Sequence, residues 1–283
     1  MSTATLNLQN NLTKKKPYIF SVASGKGGVG KTLTTIHLAL SWQNLGNDVL
    51  IIDGDLGLAN VDIVLGLHAN KTIHDVIEGE CEVTDIAIDG PYGMKILPAG
   101  SGITGLSELT SVQRHVLMSK LKAYINSFDV VLIDNGAGVN SNVREFTKMA
   151  HETVVVTTPE PHAITDAYAL IKVLSESSPN HKMRLLINMA RTPREAENVY
   201  SRLAEVSMQF LGVSIRYLGF IPNDPQLTSM VRNGQIARGH SAQTLAGQSW
   251  RSISSRLDQN VRDEFTQQET MMGTPIQQAH RAY

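Results

Sequence analysis

Cysteine is almost absent from this chain: Cys81 is the only one among 283 residues. A disulfide within one chain is therefore excluded, and the composition fits a reducing cytosol. Long apolar runs are also lacking, since none approaches the ~20 residues that a membrane-spanning helix needs. The apolar stretch that follows Lys14, Lys15 and Lys16 is short, so we expect no signal peptide.

An excess of charge of either sign is lacking too. The chain carries 25 Lys and Arg residues against 26 Asp and Glu residues, for a net charge of −1. No global attraction to nucleic acid or to an anionic membrane follows from this balance, and we expect no direct nucleic-acid binding. With 42% hydrophobic and 18% charged residues, the length suits one large α/β domain or at most two small ones.

Apolar runs alternate with helical patterns from Tyr18 onward, and several of these runs are continuously apolar. This order predicts a single doubly wound, mostly parallel sheet with helices on both faces. The predicted strands are 18–23, 49–53, 94–98, 130–134, 153–158, 185–189 and 215–221. The predicted helices are 33–45, 111–125, 143–149, 164–175, 194–210 and 226–232. We expect a flexible leader at 1–16, one domain at 17–265 and a flexible tail at 266–283.

The most informative segment is Gly-Lys-Gly-Gly-Val-Gly-Lys-Thr at residues 25–32. It follows an apolar strand and precedes a helix, which is the context that a P-loop requires. Glycines allow successive backbone N–H groups to turn toward a triphosphate, and the helix that follows adds its positive end. Lys31 can reach the β- and γ-phosphates, and the Thr32 hydroxyl can ligate Mg²⁺. A glycine-rich surface turn is the alternative.

Carboxylates end two of the predicted strands, at the edge where open α/β sheets bind ligands. Asp53 and Asp55 close the run that begins at Val49, and Asp134 closes the run that begins at Val130. Asp134 has the position of a Walker B aspartate that holds Mg²⁺ directly or through water. Each aspartate taken alone could instead serve a turn or a helix cap. Together with the P-loop they predict a site for ATP or ADP with Mg²⁺.

Residues that follow later strands are candidates for the nucleotide base. Asn188 has an amide that can read the adenine edge, Arg191 follows closely, and a turn after the last predicted strand could wall the base. Each alone could be a simple turn former. The full set of predicted nucleotide-binding residues is Gly25, Lys26, Gly27, Gly28, Val29, Gly30, Lys31, Thr32, Leu33, Asn188, Arg191, Pro222, Asn223 and Asp224.

The string from Lys26 to Thr32 resembles the deviant Walker A motif of the MinD/ParA family of P-loop ATPases. In that family the early lysine crosses a dimer interface to the partner's phosphates, which makes Lys26 a candidate catalytic residue with Lys31. A solvated loop lysine is the alternative. The resemblance also implies that Asp55 orients the attacking water and that Asp53 supports the Mg²⁺ shell. The iron–sulfur branch of the superfamily uses two cysteines per subunit, which a chain with Cys81 alone does not offer.

Longer strings are similar to those of the FlhG/FleN flagellar-number ATPases, at residues 53–62, 97–103, 157–168 and 211–222. This resemblance implies an ATP-dependent homodimer that limits flagellar number. Its implied partners are the flagellar GTPase FlhF, flagellar switch-complex proteins or a flagellar master transcription regulator. Residues 1–16 lack the DQAxxLR-type string by which some members stimulate the GTPase. Asn135 stands where these relatives usually have Thr or Ser. Its side chain is larger, and we expect it to alter the switch segment that follows Asp134.

The C-terminal segment has apolar residues at helical spacing, from Trp250 to Phe265. Such a helix either touches a membrane weakly or packs on the domain, and its mixed-charge polar face favours packing. We expect a cytoplasmic protein, with a peripheral position at the inner face of the membrane or at the cell pole as the alternative. Two other functions stay open: division-site or DNA partition, and a nucleotide-gated adaptor that represses a transcription regulator without obligatory turnover.

Overall fold

A computed structural model describes residues 16–57, 60–100, 109–236 and 240–272, without the side chains of residues 240, 242 and 267–272. Its centre is an eight-stranded sheet with the order β3-β4-β2-β5-β1-β6-β7-β8. All neighbouring strands are parallel except β3 and β4, which form an antiparallel pair at one edge. The predicted doubly wound, mostly parallel α/β fold is therefore confirmed.

The strands are β1 Tyr18–Ser24, β2 Val49–Gly54, β3 Ile88–Asp89, β4 Lys95–Leu97, β5 Val130–Ala137, β6 Glu152–Thr157, β7 Lys182–Ala190 and β8 Arg216–Pro222. The α-helices are α1 Lys31–Asn44, α2 Val61–Leu65, α3 Ile73–Glu78, α4 Val83–Ile86, α5 Ser111–Ile125, α6 Ser141–Met149, α7 Pro161–Ser177, α8 Pro193–Leu211, α9 Pro225–Arg232 and α10 Leu245–Met272. Short 3₁₀ turns occupy Pro91–Gly93 and His240–Gln243.

Helices cover both faces of the sheet, as the alternation of side chains along β1 shows. Tyr18, Phe20 and Val22 face a core shared with α1 and α10, whereas Ile19 and Ala23 face two cores built with α5 to α8. Because each face of a central strand is buried, both sets of positions are apolar. This burial explains why these strands read as continuous apolar runs in the sequence.

All seven strands and seven helices expected from the sequence are present. Their ends agree to within three residues, except that the last helix begins five residues before Trp250 and ends seven residues after Phe265. The strand pattern did not predict β3, and the helical patterns did not predict α2, α3 and α4. These elements have two to six residues each, which is too few to show a periodic spacing of apolar residues. The αL glycine caps Gly66 and Gly79 and the Thr72 capping box define their ends instead.

The last helix, α10, packs on the domain through its apolar face, which confirms the favoured alternative. Trp250, Ile253, Leu257 and Val261 are buried in the core shared with α1, and Phe265 packs against its rim. The helix continues to Met272, beyond the predicted domain end at residue 265. No helix in the described ranges is long and apolar enough to cross a membrane.

Several sequence predictions concern residues that the structure does not describe. These are most of the leader (1–15), Leu58 and Ala59 of the flagellar-type string after Asp53, residues 101–103 of the next string, and the tail from 273 onward. Cys81 lies in the described part, where it is buried and free of disulfides.

Candidate functional site

The P-loop leaves β1 at Ser24 and enters α1 at Lys31. Gly28 and Gly30 have φ angles of 78° and 92°, a region that side-chain-bearing residues rarely adopt. Gly30 is the N-cap of α1, and no side chain in the described part of the chain caps that helix end. The first N–H groups of α1 are therefore available to an anion, and the dipole of α1 favours one.

A cluster of polar side chains lies immediately behind the loop. The Lys31 side chain is buried, and burial lowers its pKa although Asp134 and Asp55 attract its charge. The Thr35 hydroxyl lies 3.0 Å from Asp134 Oδ1 and 3.1 Å from the Lys31 carbonyl oxygen. Thr32 also hydrogen-bonds to Asp134. The structure thus brings Lys31, Thr32 and Asp134 together behind the loop.

Asp53 and Asp134 are paired across neighbouring strands β2 and β5, and both are almost fully buried. Burial is the main cause that raises the pKa of each carboxyl, and the charge of Asp134 raises that of Asp53 further. Two buried acids of this kind are costly unless a positive charge lies near them. A divalent cation beside Asp134 would favour the ionised form of both.

The donor set fits Mg²⁺ as P-loop proteins bind it. Mg²⁺ usually takes one or two carboxylates and completes its octahedron with water and substrate phosphates. Asp134 and Thr32 can supply protein oxygens, and Asp53 can support the shell from β2. Three or more His, Cys, Asp or Glu side chains do not converge on a metal position anywhere in the described ranges. A Mg²⁺ ion bound here would take its remaining ligands from water and from the nucleotide's oxygens.

Asp53 also organises the loop that carries Asp55. Its carboxylate accepts backbone N–H groups from Asp55 at 3.1 Å, Asn60 at 3.0 Å and Val61 at 3.2 Å. These three bonds favour the ionised form and counter the effect of burial. Asp53 therefore ties the start of α2 to the end of β2, a positioning role that the sequence did not predict.

Asp55 lies against the segment that follows Asp134. A Cβ atom built on Gly136 would be only 3.2 Å from Asp55 Oδ1, so the carboxylate of Asp55 contacts the β5 backbone there. Asp55 is partly exposed, unlike Asp53, and its charge acts on both Lys31 and Asp134. This position, beside the phosphate-binding lysine and open to solvent, suits a residue that orients water.

Lys26 makes an ion pair within its own chain. Its Nζ lies 2.6 Å from Glu160 Oε2, at the start of α7, and both side chains are solvent-exposed. The hydrogen bond and the charge of Lys26 lower the pKa of Glu160. Because water screens such a pair, it adds little stability and can exchange for another partner.

Asn188 lies against the P-loop rather than in an open pocket. Its Nδ2 donates a hydrogen bond to the Val29 carbonyl at 2.8 Å, and its Oδ1 accepts one from the Met189 N–H at 2.9 Å. The side chain also explains Gly30, where an added Cβ would lie 2.2 Å from that Nδ2. Asn188 thus supports the loop, and an adenine contact by its amide stays a prediction.

The other predicted base residues divide into two groups. Arg191 and Asn223 line a cavity of about 420 Å³ with Met189 and Glu160, and Pro222 pairs with Ala190 beside it. Asp224 instead caps α9: its carboxylate accepts N–H groups from Gln226, Leu227 and Ala246. Burial opposes ionisation of Asp224, but these bonds hold its pKa below the usual value.

Asn135 lies on the opposite face of the sheet from Asp134, because neighbouring residues on a strand face opposite sides. Its Nδ2 donates to Ser21 Oγ at 2.7 Å and to the Val22 carbonyl at 2.9 Å. Asn135 therefore fastens β5 to β1 inside the sheet. An effect of Asn135 on the nucleotide switch would therefore act through the hydrogen bonds that attach the segment after Asp134 to β1.

Sequence reasoning did not select Thr35, Gly136 or Glu160 as site residues. Thr35 follows Thr32 by three residues on one helix face, a spacing that could have suggested it. Gly136 and Glu160 carry no comparable signal, since their partners Asp55 and Lys26 are distant in sequence.

The fold and the site together define a P-loop nucleoside triphosphatase with two lysines in its loop. The CobQ/CobB/MinD/ParA nucleotide-binding domain family matches residues 20–236, and the chain belongs to this family. It is an ATP hydrolase of MinD type.

Individual relatives agree with this assignment. The chain is 38% identical over 240 residues to the antiactivator FleN of Pseudomonas aeruginosa, covering 85% of this chain and 86% of that protein. It is 31% identical over 268 residues to the flagellum site-determining protein YlxH of Helicobacter pylori, covering 91% and 90%. The cell division ATPase MinD of Pyrococcus furiosus superposes with a TM-score of 0.68 at 26% identity, covering 86% and 98%.

Proposed function

We propose that this chain is an ATP-dependent dimerising switch that regulates flagellar number and flagellar biosynthesis. The observation that carries this proposal is its similarity, over most of its length, to the antiactivator FleN and to a protein named for determining the flagellum site. The P-loop and the three aspartates supply the switch, since ATP and ADP differ in the γ-phosphate that Lys31 would hold.

The roles in this proposal follow from the positions of the side chains. The P-loop N–H groups and Lys31 would bind the β- and γ-phosphates, and Thr32 and Asp134 would hold Mg²⁺, which would neutralise phosphate charge. Asp55 orients the attacking water from its place beside Gly136. Hydrolysis then requires positioning and charge neutralisation rather than covalent catalysis.

Lys26 completes the site in the dimer. We infer that it leaves Glu160 and reaches the phosphates bound by the partner subunit. The exposure of the Lys26–Glu160 pair supports this exchange, because a solvated ion pair costs little to break. The presence of bound ATP would then determine whether the chain is a monomer or a dimer.

The proposed partners are the flagellar GTPase FlhF, flagellar switch-complex proteins or a flagellar master transcription regulator. A peripheral position at the inner face of the membrane or at the cell pole belongs to the same proposal. Contact through α10 would require another surface than its apolar face, which is buried in the domain.

A second candidate is a nucleotide-gated adaptor that represses a transcription regulator without obligatory turnover. The name antiactivator, given to the relative from Pseudomonas aeruginosa, favours it. The two candidates differ in whether ATP hydrolysis itself is needed.

Counting flagella per cell in strains with single substitutions tests both candidates. Deletion should give an abnormal number because the protein is absent. Lys31→Ala should also give one, because the P-loop would no longer hold ATP. Asp55→Ala should keep ATP binding, lower turnover at least about 100-fold, and also give an abnormal number. Asp263→Ala, an exposed aspartate on α10, is the matched control and should be normal.

A normal flagellar number with Asp55→Ala, despite blocked hydrolysis, would favour the adaptor. A normal number after deletion, with misplaced division septa or lost DNA, would instead contradict the flagellar assignment.

A further inference from the structure

A groove that the nucleotide site does not use separates α5 from α6. The two helices are neighbours on the face opposite α10, and a cavity of about 860 Å³ lies between them. Both helices lead into strands at their C-terminal ends, so Lys122 and Lys148 lie toward the amino ends of the sheet strands. The P-loop and the aspartates lie at the opposite, carboxyl edge, which keeps this end of the groove separate from the site for ATP.

The rim of the groove is strongly basic although the chain as a whole is not. Arg114, Lys122, Arg144 and Lys148 line it, and Glu145 is the only acidic residue among the lining residues in the described ranges. Glu145 is paired with Lys148 at 2.9 Å. Three cationic side chains are thus left for a ligand, on a chain with a net charge of −1.

Arg114 adds a second sign that a ligand belongs here. Its Nη1 atom is buried, and no acceptor among the described residues hydrogen-bonds to it. A buried guanidinium N–H without an acceptor is costly, and a carboxylate is the acceptor that it fits best. The groove therefore offers one buried hydrogen-bond donor to a carboxylate near the N-terminal half of α5.

The floor of the groove is apolar. Met118 and Ile125 come from α5, Met149 comes from α6, and Ile19 comes from β1 beneath them. Methionine side chains adapt to varied apolar surfaces, which suits them to binding another chain. An apolar floor between two helices with a charged rim is the arrangement that receives the apolar face of an amphipathic helix.

We propose that the α5–α6 groove is a docking surface for an acidic amphipathic helix of a partner protein. A nucleic acid backbone would satisfy the rim but leave the apolar floor uncovered, and a flat membrane surface cannot enter a groove. The segments of this chain outside the described ranges at its two ends, 1–15 and 273–283, contain no Asp or Glu, so they do not match the rim. The proposal does not depend on dimerisation or on ATP hydrolysis.

Fluorescence anisotropy with the full-length protein tests the proposal. The probe is a labelled synthetic peptide with Leu at positions i, i+3, i+4 and i+7 and Glu on the opposite face. We expect saturable binding, weakened at least tenfold by the double substitution Lys122→Glu with Arg144→Glu. Lys172→Glu with Arg251→Glu, two exposed residues outside the groove, makes the same charge change and should bind as the wild type does.

Two control peptides separate the contribution of the floor from that of the rim. A peptide with Lys in place of Glu should not bind, and a peptide of the same composition with scattered Leu should bind at least tenfold more weakly. Equal binding of the scattered peptide, or unchanged binding by the groove variant, would overturn the proposal. So would duplex DNA or phosphatidylglycerol vesicles that bind more tightly than the peptide and lose binding in the same variant.

A loss of ATP function leaves this test intact. Lys31→Ala should bind the acidic peptide as the wild type does, because Lys31 lies in the P-loop and not in the groove. Failure of the proposed switch and failure of the docking surface are thereby distinguished.

Discussion

Gly25 is a glycine because the P-loop passes very close to α7. A Cβ atom at this position would lie 2.0 Å from the Asp166 carbonyl oxygen, far inside van der Waals contact. The neighbouring Gly27 is different: nothing lies within 4 Å of the equivalent position, and its φ is not in the left-handed region. Two glycines of one motif therefore have different reasons for their identity.

This contrast predicts different outcomes for two alanine substitutions. Gly25→Ala should lower the free energy of unfolding by about 1–3 kcal/mol, because backbone must move to admit the methyl group. Gly27→Ala should change it by less than about 0.5 kcal/mol. Urea unfolding without nucleotide measures both, and equal stabilities of the two variants would contradict the close approach to α7.

At the scale of elements, α10 packs on the domain through an apolar stripe that includes a stacked aromatic contact. Trp250 is buried and stacks on His37 of α1, with ring centroids 4.1 Å apart and an interplanar angle of 5°. Leu245, at the start of the same helix, is 65% exposed. The apolar stripe thus holds the helix, and charged residues add contacts at its edges: Glu264 pairs with Lys182, and Arg256 donates to the Leu218 carbonyl oxygen.

Truncation of each side chain should reveal this difference. Trp250→Ala should cost about 3–5 kcal/mol, because it removes a large buried side chain and leaves a cavity. Leu245→Ala should cost less than about 0.5 kcal/mol. Thermal unfolding followed by circular dichroism compares the two, and a Trp250→Ala variant as stable as the wild type would show that α10 does not pack in solution.

His37 makes the contact between α1 and α10 sensitive to acid. Burial lowers its pKa from 6.5 to about 3, so the folded protein keeps the ring neutral where the unfolded chain would protonate it. Between pH 6.5 and 3 the unfolded state therefore binds more protons, and stability falls as pH falls. His37→Phe keeps the ring stacking and removes the titration.

The wild type should lose about 2 kcal/mol more stability than His37→Phe between pH 7 and pH 5, at about 1.36 kcal/mol for each pH unit. Urea unfolding at the two pH values measures the difference. His151 and His181 also have pKa values lowered by burial, and they remain in both proteins, so their contributions cancel. Parallel pH profiles of the two proteins would show that protonation of His37 does not lower the stability of the folded state.

At the scale of the whole molecule, Lys26 links the site to assembly. Lys26→Ala should retain ATP binding, since Lys31 and the loop N–H groups stay, but should lose ATP-dependent dimerisation. Light scattering with a non-hydrolysable ATP analogue measures the dimer, and a labelled nucleotide measures binding. Lys172→Ala removes an exposed lysine of α7 and is the matched control. If Lys26→Ala dimerises with the analogue as the wild type does, Lys26 does not act across the interface.

Sequence reasoning performed best where one local segment carries the signal. The P-loop and the aspartates at the ends of β2 and β5 were located from patterns of fewer than ten residues. The interior of each long strand and helix was found for the same reason. Asn188 shows what such patterns do not contain: its residue type led to a predicted base contact but gave no sign of the hydrogen bond that its amide donates to Val29, 159 residues earlier in the chain. No local pattern contains that information.

The sequence by itself determined the fold class, the phosphate loop and the carboxylates at the sheet edge, because chain periodicity and strand–loop–helix order are properties of neighbouring residues. The tertiary structure alone decided which side chains meet. It placed Thr35 on Asp134, paired Lys26 with Glu160, buried the apolar stripe of α10 and left a basic groove between α5 and α6. These outcomes depend on how helices pack across the sheet, which brings together residues that are far apart along the chain.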